Sequence, residues 1–154
     1  NLQLAEKFSA SFIIDSNYRE GTFRHEAAKK NKPILVYEGG ESMRFDYHAI
    51  NEGINGCLRL MQSFGMIKID LPNNPHIKIK KDLWIRANSS GLFHMNVNNG
   101  AHVQKDDLIG FICNPFGDII NKIISTTDGY ILGVNNRPVV NEGDALIHIG
   151  KEFD

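Results

Sequence analysis

The residues most able to do chemistry lie in one short stretch, Lys32-Pro-Ile-Leu-Val-Tyr-Glu-Gly-Gly-Glu41. Residues 34–37 read as a buried strand, which would end on the carboxylate of Glu38 with two glycines directly behind it. An unpaired carboxylate is expensive to bury, so a charge there is either paired or working. In open α/β sheets, ligands bind in the crevice beyond the carboxyl ends of the strands. Glycines after the acid let backbone or substrate approach closely. Arginines flank this position. Arg24 and Arg19 follow the first predicted strand, and Arg44 lies shortly after Glu38. Guanidinium groups at one crevice can fork onto a substrate carboxylate. The alternative for each is a solvated surface or a pair with Glu20, Glu41 or Asp46.

Other chemistries are poorly supported. The six histidines include no His-x-x-x-His or His-x-x-Glu pair, the helix spacings a metal-binding motif would use. His48 and Glu52 stand four apart on a predicted helix, where a surface pair is the simpler reading. His94 and His102 have no third ligand nearby, and catalytic zinc needs three protein ligands and an open position. No Gly-x-Ser-x-Gly elbow and no glycine-rich phosphate loop occurs. Cys57 and Cys113 lie within apolar runs without basic neighbours and read as buried, reduced thiols of an intracellular, cytoplasmic protein.

The elements that must position Glu38 follow from periodicity and breakers. Residues 8–14 read as a strand ended by Asp15-Ser-Asn17. Thr22 suits an N-cap for a helix from Phe23 to Lys30, which Asn31 and Pro33 terminate. With residues 34–37 this makes a βαβ unit with parallel strands. Residues 45–65 read as an amphipathic helix. Its predicted core stripe is Ile50, Ile54, Cys57, Leu58, Met61 and Phe64, beside a strip of small residues at Ala49, Gly53 and Gly56. Those glycines each cost about 1 kcal/mol against alanine, a loss that close packing against the sheet would offset.

Leu71-Pro-Asn-Asn-Pro75 is a breaker cluster and reads as a linker. Residues 1–70 are therefore expected to form the α/β part and residues 71–154 an all-β barrel domain. The β part contains a duplication: Val97, Asn98, Asn99, Val103, Asp107 and Ile112 match Val134, Asn135, Asn136, Val140, Asp144 and Ile149. Two copies fit two similar halves closing on one core. Asp107 and Asp144 precede strands and suit side-chain bonds to local backbone.

Composition bounds the partners. The 154 residues are 42% hydrophobic with a formal net charge of −1, which makes no electrostatic case for nucleic acid or an anionic membrane. No apolar run reaches the roughly 20 residues of a membrane span. A homo-oligomer stays open.

Three segments together resemble the succinylglutamate desuccinylase/aspartoacylase family: Ile14-Asp-Ser-Asn-Tyr-Arg-Glu-Gly-Thr-Phe-Arg24, then Lys32 to Glu41 with Met43-Arg-Phe-Asp46, then Pro138-Val-Val-Asn-Glu-Gly-Asp-Ala-Leu-Ile-His-Ile-Gly150. The resemblance covers nearly the whole chain but only the C-terminal half of a family member. It implies a zinc-dependent amidohydrolase with a carboxypeptidase-like α/β domain and a C-terminal β-barrel or barrel-sandwich domain, acting on a small acidic amide of the N-acyl amino acid type. Glu38 matches the family's strand-end general base. Arg24 resembles a substrate-carboxylate arginine, and Arg44 is a second candidate. The family's zinc ligands lie upstream of anything matched here, so the chain is expected to carry the base but not the metal, as a fragment that is inactive without the other half of the domain. A competing expectation is a non-catalytic β-barrel module, either a binding module or a lipoyl- or biotinyl-like carrier. The carrier's acceptor lysine would sit on the hairpin between the two β halves, but that connection reads Asn114-Pro-Phe-Gly-Asp118, and Lys122 comes only later.

Overall fold

The computed structural model describes residues 1–152 and separates into two compact units, the first ending at Lys78 and the second starting at Ile79.

The first unit opens with helix α1 (Leu2–Phe8). Ser9 ends it in the left-handed conformation at φ 61°, donating its N–H to the Ala5 carbonyl. The strand expected over 8–14 is consequently only β1 (Phe12–Ile14). Helix α2 (Phe23–Lys29) starts where the capping residue dictates, with the Thr22 hydroxyl accepting from the His25 N–H at 3.3 Å. Helix α3 (Tyr47–Ser63) is capped by Asp46, whose carboxylate accepts from the Ala49 N–H at 3.1 Å. Gly65, at φ 70°, closes its far end.

Two expectations fail here for one reason. Residues 34–37 form no strand, so the βαβ unit is absent. A strand exists through its neighbour, and among the described residues none takes up this backbone. Most of the apolar stripe of α3 is likewise uncovered: Ile50, Ile54 and Phe64 are exposed, Leu58 and Met61 are half-buried, and Cys57 is an exposed free thiol rather than a buried one. The covered face of α3 is the one carrying Ala49, Gly56 and Arg59. Gly56 lies against the Phe8 ring, with no room for a Cβ, and Gly53 against Tyr37. The small-residue strip thus receives aromatic rings rather than a sheet.

The breaker cluster is anchored. Buried Arg59 donates to the Phe8 carbonyl at 3.0 Å and the Pro72 carbonyl at 2.9 Å, and the buried Ser9 hydroxyl donates to Asn74 at 2.7 Å. These side chains satisfy the Phe8 carbonyl at the end of α1 and two carbonyls of the 71–75 segment, which lies outside any helix or strand.

Strand β2 (Ile77–Arg86) leads into the second unit, which adds β3 (Gly91–Met95), β4 (His102–Val103), β5 (Leu108–Cys113), β6 (Ile119–Ile124), β7 (Gly129–Val134), β8 (Val139–Val140) and β9 (Ala145–Glu152). Two antiparallel sheets, ordered β2-β9-β7-β4 and β6-β5-β3-β8, enclose a core of Phe93, Ile109, Ile112, Ile131, Leu146, Ile147 and Ile149 with smaller neighbours. No closed barrel forms among the described residues; the arrangement is a pair of sheets. Replacing β2, β3, β4 and β5 by β6, β7, β8 and β9, and the reverse, converts one sheet order into the other. The duplication is therefore a two-fold relation in which each half lends its two-residue strand to the opposite sheet. The repeated turns match in detail: Asp107 accepts from the Gln104 N–H and Asp144 from the Asn141 N–H, both at 2.8 Å.

Candidate active site

Tyr37 anchors the segment ahead of Glu38. Tyr37 places its ring 5.4 Å from Phe8, between centroids, and its hydroxyl reaches the Ala49 carbonyl at 2.8 Å and Glu52 Oε2 at 2.9 Å. The other Glu52 oxygen accepts from the Ser11 N–H at 2.9 Å and the Ser11 hydroxyl at 2.6 Å. Burial pushes the Glu52 carboxyl up, but the bonds from Ser11 and Tyr37 outweigh it and hold the group below its ordinary value of 4.5. Burial, and then the Glu52 carboxylate beside it, push the Tyr37 hydroxyl far up, so it stays protonated.

Beyond Tyr37 the chain turns. Gly40 has φ 78°, a conformation that favours glycine. A depression of about 270 Å³ opens at this turn, lined by Tyr37, Gly39, Gly40, Glu41, Arg44 and the start of α3. The three residues expected to do chemistry are not brought together. Glu38 is exposed and is not among the lining residues; the acids that line the depression are Glu41 and Asp46, the N-cap of α3. Arg44 also lines it and holds Glu41, Nε to Oε1 at 2.8 Å. Exposed pairs of this kind contribute about 0–1 kcal/mol, so Arg44 can exchange Glu41 for another carboxylate at little cost. Arg24 lies in the first turn of α2 and donates to the Ser16 hydroxyl at 2.7 Å, outside the lining.

No group of three or more His, Cys, Asp or Glu side chains able to hold a metal occurs among the described residues. Three histidines of the second unit sit against rings: His94 on Phe111, His102 on Tyr130, and His148 on Trp84 with its Nε2 2.6 Å from Asp82. Among the described residues there is accordingly no ligand set for the zinc that the resemblance implies. Lys122 lies inside β6, opposite Phe111, and not in the 114–118 turn where a carrier's acceptor would stand.

Sequence reasoning named Glu52 only as half of a surface pair with His48 and missed its bonds to Ser11 and Tyr37. A signal was available: it lies beside the small-residue strip of Ala49, Gly53 and Gly56 and away from the apolar stripe, so its side chain leaves on the covered side of the helix.

No protein-family model matches the sequence, and no curated protein matches it. Solved structures do. The fold is that of the C-terminal portion of succinylglutamate desuccinylase/aspartoacylase chains. The ectoine utilization protein EutE (DoeB) of Ruegeria pomeroyi, in its product-bound structure, superposes with a TM-score of 0.85 at 16% identity, over 97% of this chain and 48% of that one. A succinylglutamate desuccinylase of Silicibacter sp. TM1040 gives 0.85 at 17% identity, over 98% and 48%. A succinylglutamate desuccinylase/aspartoacylase of Rhodobacter sphaeroides gives 0.84 at 19% identity, over 99% and 49%. The chain spans about half the length of the solved chains it matches. Among the described residues, no helix is long and apolar enough to cross a membrane.

Proposed function

We propose that this chain is the C-terminal portion of a zinc-dependent amidohydrolase that cleaves an N-acyl amino acid-type amide. The observation that carries the reading is a shared fold over 98–99% of the chain with proteins described as a succinylglutamate desuccinylase and a succinylglutamate desuccinylase/aspartoacylase. In this reading Glu38 is the general base, taking a proton from the attacking water and passing it to the leaving amine. Arg24 and Arg44 take the substrate's carboxylates. Zinc would supply electrophilic activation from ligands outside this chain, since the described residues hold no set for it. The rest of the catalytic domain would cover the apolar stripe of α3 and pair with the backbone of residues 34–37. The two free cysteines suit a cytoplasmic setting.

Glu38 stands in solvent in the chain by itself, so the reading requires the other half of the domain to build the cleft around it. The test is a longer polypeptide that joins an upstream half to this chain, zinc-loaded and assayed for amine release from N-acyl amino acids. Glu38→Gln is expected to lower kcat by about 10²–10⁴-fold, and the 154-residue chain alone to show no turnover. A longer enzyme in which Glu38→Gln retains its turnover would overturn the assignment.

A further inference from the structure

The turn that carries Glu38 has two adjacent glycines, the residues that lose most conformational freedom when ordered. Something must hold it. A Cβ built on Gly39 would meet the Tyr37 hydroxyl at 2.6 Å, and one on Gly40 would meet Asp46 Cβ at 3.0 Å. The turn is therefore seated directly on the Tyr37 oxygen and on the first turn of α3.

Tyr37 is itself fixed from three directions. Phe8 and Gly53 confine its ring, the Ala49 carbonyl lies in reach of its hydroxyl, and Glu52 Oε2 lies on the same oxygen. Glu52 in turn is oriented by two bonds from Ser11, at the entry to β1. A chain of contacts runs from Ser11 through Glu52 and Tyr37 to the Gly39 backbone, next to Glu38.

We propose that Glu52 is a positioning residue, which through the Tyr37 hydroxyl holds the turn of Glu38, Gly39 and Gly40 in place for the reaction. The proposal rests on the general-base role of Glu38. Glu52 touches no substrate; its effect passes through one hydroxyl. The tie needs hydrogen-bonding capacity on Glu52 rather than charge. A glutamine can still accept from Ser11 with its carbonyl oxygen, while its amide donates to a Tyr37 hydroxyl that donates to Ala49.

Two measurements test it. In the 154-residue chain, ¹⁵N relaxation and hydrogen exchange at the Gly39 and Gly40 amides read the turn directly. Tyr37→Phe and Glu52→Ala are expected to loosen both amides, while Glu52→Gln keeps them as in the parent chain and Ile131 and Ile149 stay unchanged in all three. In the longer zinc-loaded enzyme, Glu52→Ala is expected to lower kcat by roughly 10- to 100-fold with KM within about twofold, and Glu52→Gln to recover most of that loss. Gly39 and Gly40 amides as rigid in Tyr37→Phe and Glu52→Ala as in the parent chain would overturn the proposal. So would an unchanged kcat in Glu52→Ala where Glu38→Gln is inactive, or a Glu52→Gln enzyme as poor as Glu52→Ala. If Glu38→Gln remains active, the general-base reading fails by itself; the amide measurement still decides whether Glu52 and Tyr37 hold the turn.

Discussion

The two units treat their apolar residues differently. In the second, the side chains that alternate inward on both sheets bury one another, and Ile109, Ile112, Ile131 and Ile149 are fully enclosed. In the first, Ile50, Ile54 and Phe64 remain in solvent, although their spacing is that of a core-facing stripe. A sequence pattern states which face of an element wants burial. Whether that burial occurs depends on a neighbour being present. The candidate site lies in the unit whose helix stripe is unmet, while the β unit encloses a core of its own and leaves outward side chains such as Phe116, Ile119 and Val139 in solvent.

Substitutions sharpen this contrast. The largest expected effect separates the units: Ile149→Ala, in a fully buried position, is expected to cost about 2–5 kcal/mol. Ile54→Lys, on the open stripe, is expected to stay within about 0.5 kcal/mol. Denaturant titration of the 154-residue chain measures both. A comparable loss from Ile54→Lys would mean that the stripe is covered in solution, and the contrast would break. An intermediate effect is expected within the first unit. A Cβ at Gly56 would stand 2.4–2.5 Å from the Phe8 ring. Despite the helix-propensity gain, Gly56→Ala is therefore expected to lose about 1–3 kcal/mol through overpacking, with restored stability in a Gly56→Ala/Phe8→Leu double variant.

The smallest effect is in acid. The folded-state carboxyl of Glu52 is held below its ordinary value of 4.5. The stabilisation it supplies is complete above the unfolded value and disappears as pH falls through the lower folded one. Amide protection relative to intrinsic exchange is expected to fall around Ser11 and Tyr37 as pH drops below about 4.5, before the second unit responds, and Glu52→Gln is expected to flatten that dependence. Equal acid sensitivity in Glu52→Gln would show that other carboxylates, such as Glu6 paired with Lys78 at 2.6 Å, govern the first unit.

Much of the fold was legible because it rests on local chemistry. Thr22 caps its helix because a side-chain oxygen can reach a backbone N–H three residues on; Asp46 does the same for α3, although periodicity alone started that helix at residue 45. The duplication at Val97 and Val134 was legible because related sequences obey the same pleat and turn rules. What escaped was tertiary. Residues 34–37 have strand composition, but pairing is not a property of one segment. Helix α1 lacks an acidic first turn and a side-chain cap bond, so little announces it before Phe8 packs on Gly56. At the site, the glycine-flanked acid and Arg44 were readable as types, but the pairing of Arg44 with Glu41 and the Glu52–Tyr37 tie depend on three-dimensional approach. The interlocked sheets were hidden as well: a repeat announces two halves without saying that they exchange strands.

That exchange has a consequence for how the β unit comes to exist. Since β4 pairs with β7 and β8 with β3, neither repeat contains the partners for its own shortest strand. Half of the sequence could not settle first and serve as a template for the rest. Assembly must wait until both copies have been synthesised and are simultaneously at hand, as the two subunits of an intertwined dimer would be, with residues 114–118 acting as the tether that makes the encounter intramolecular.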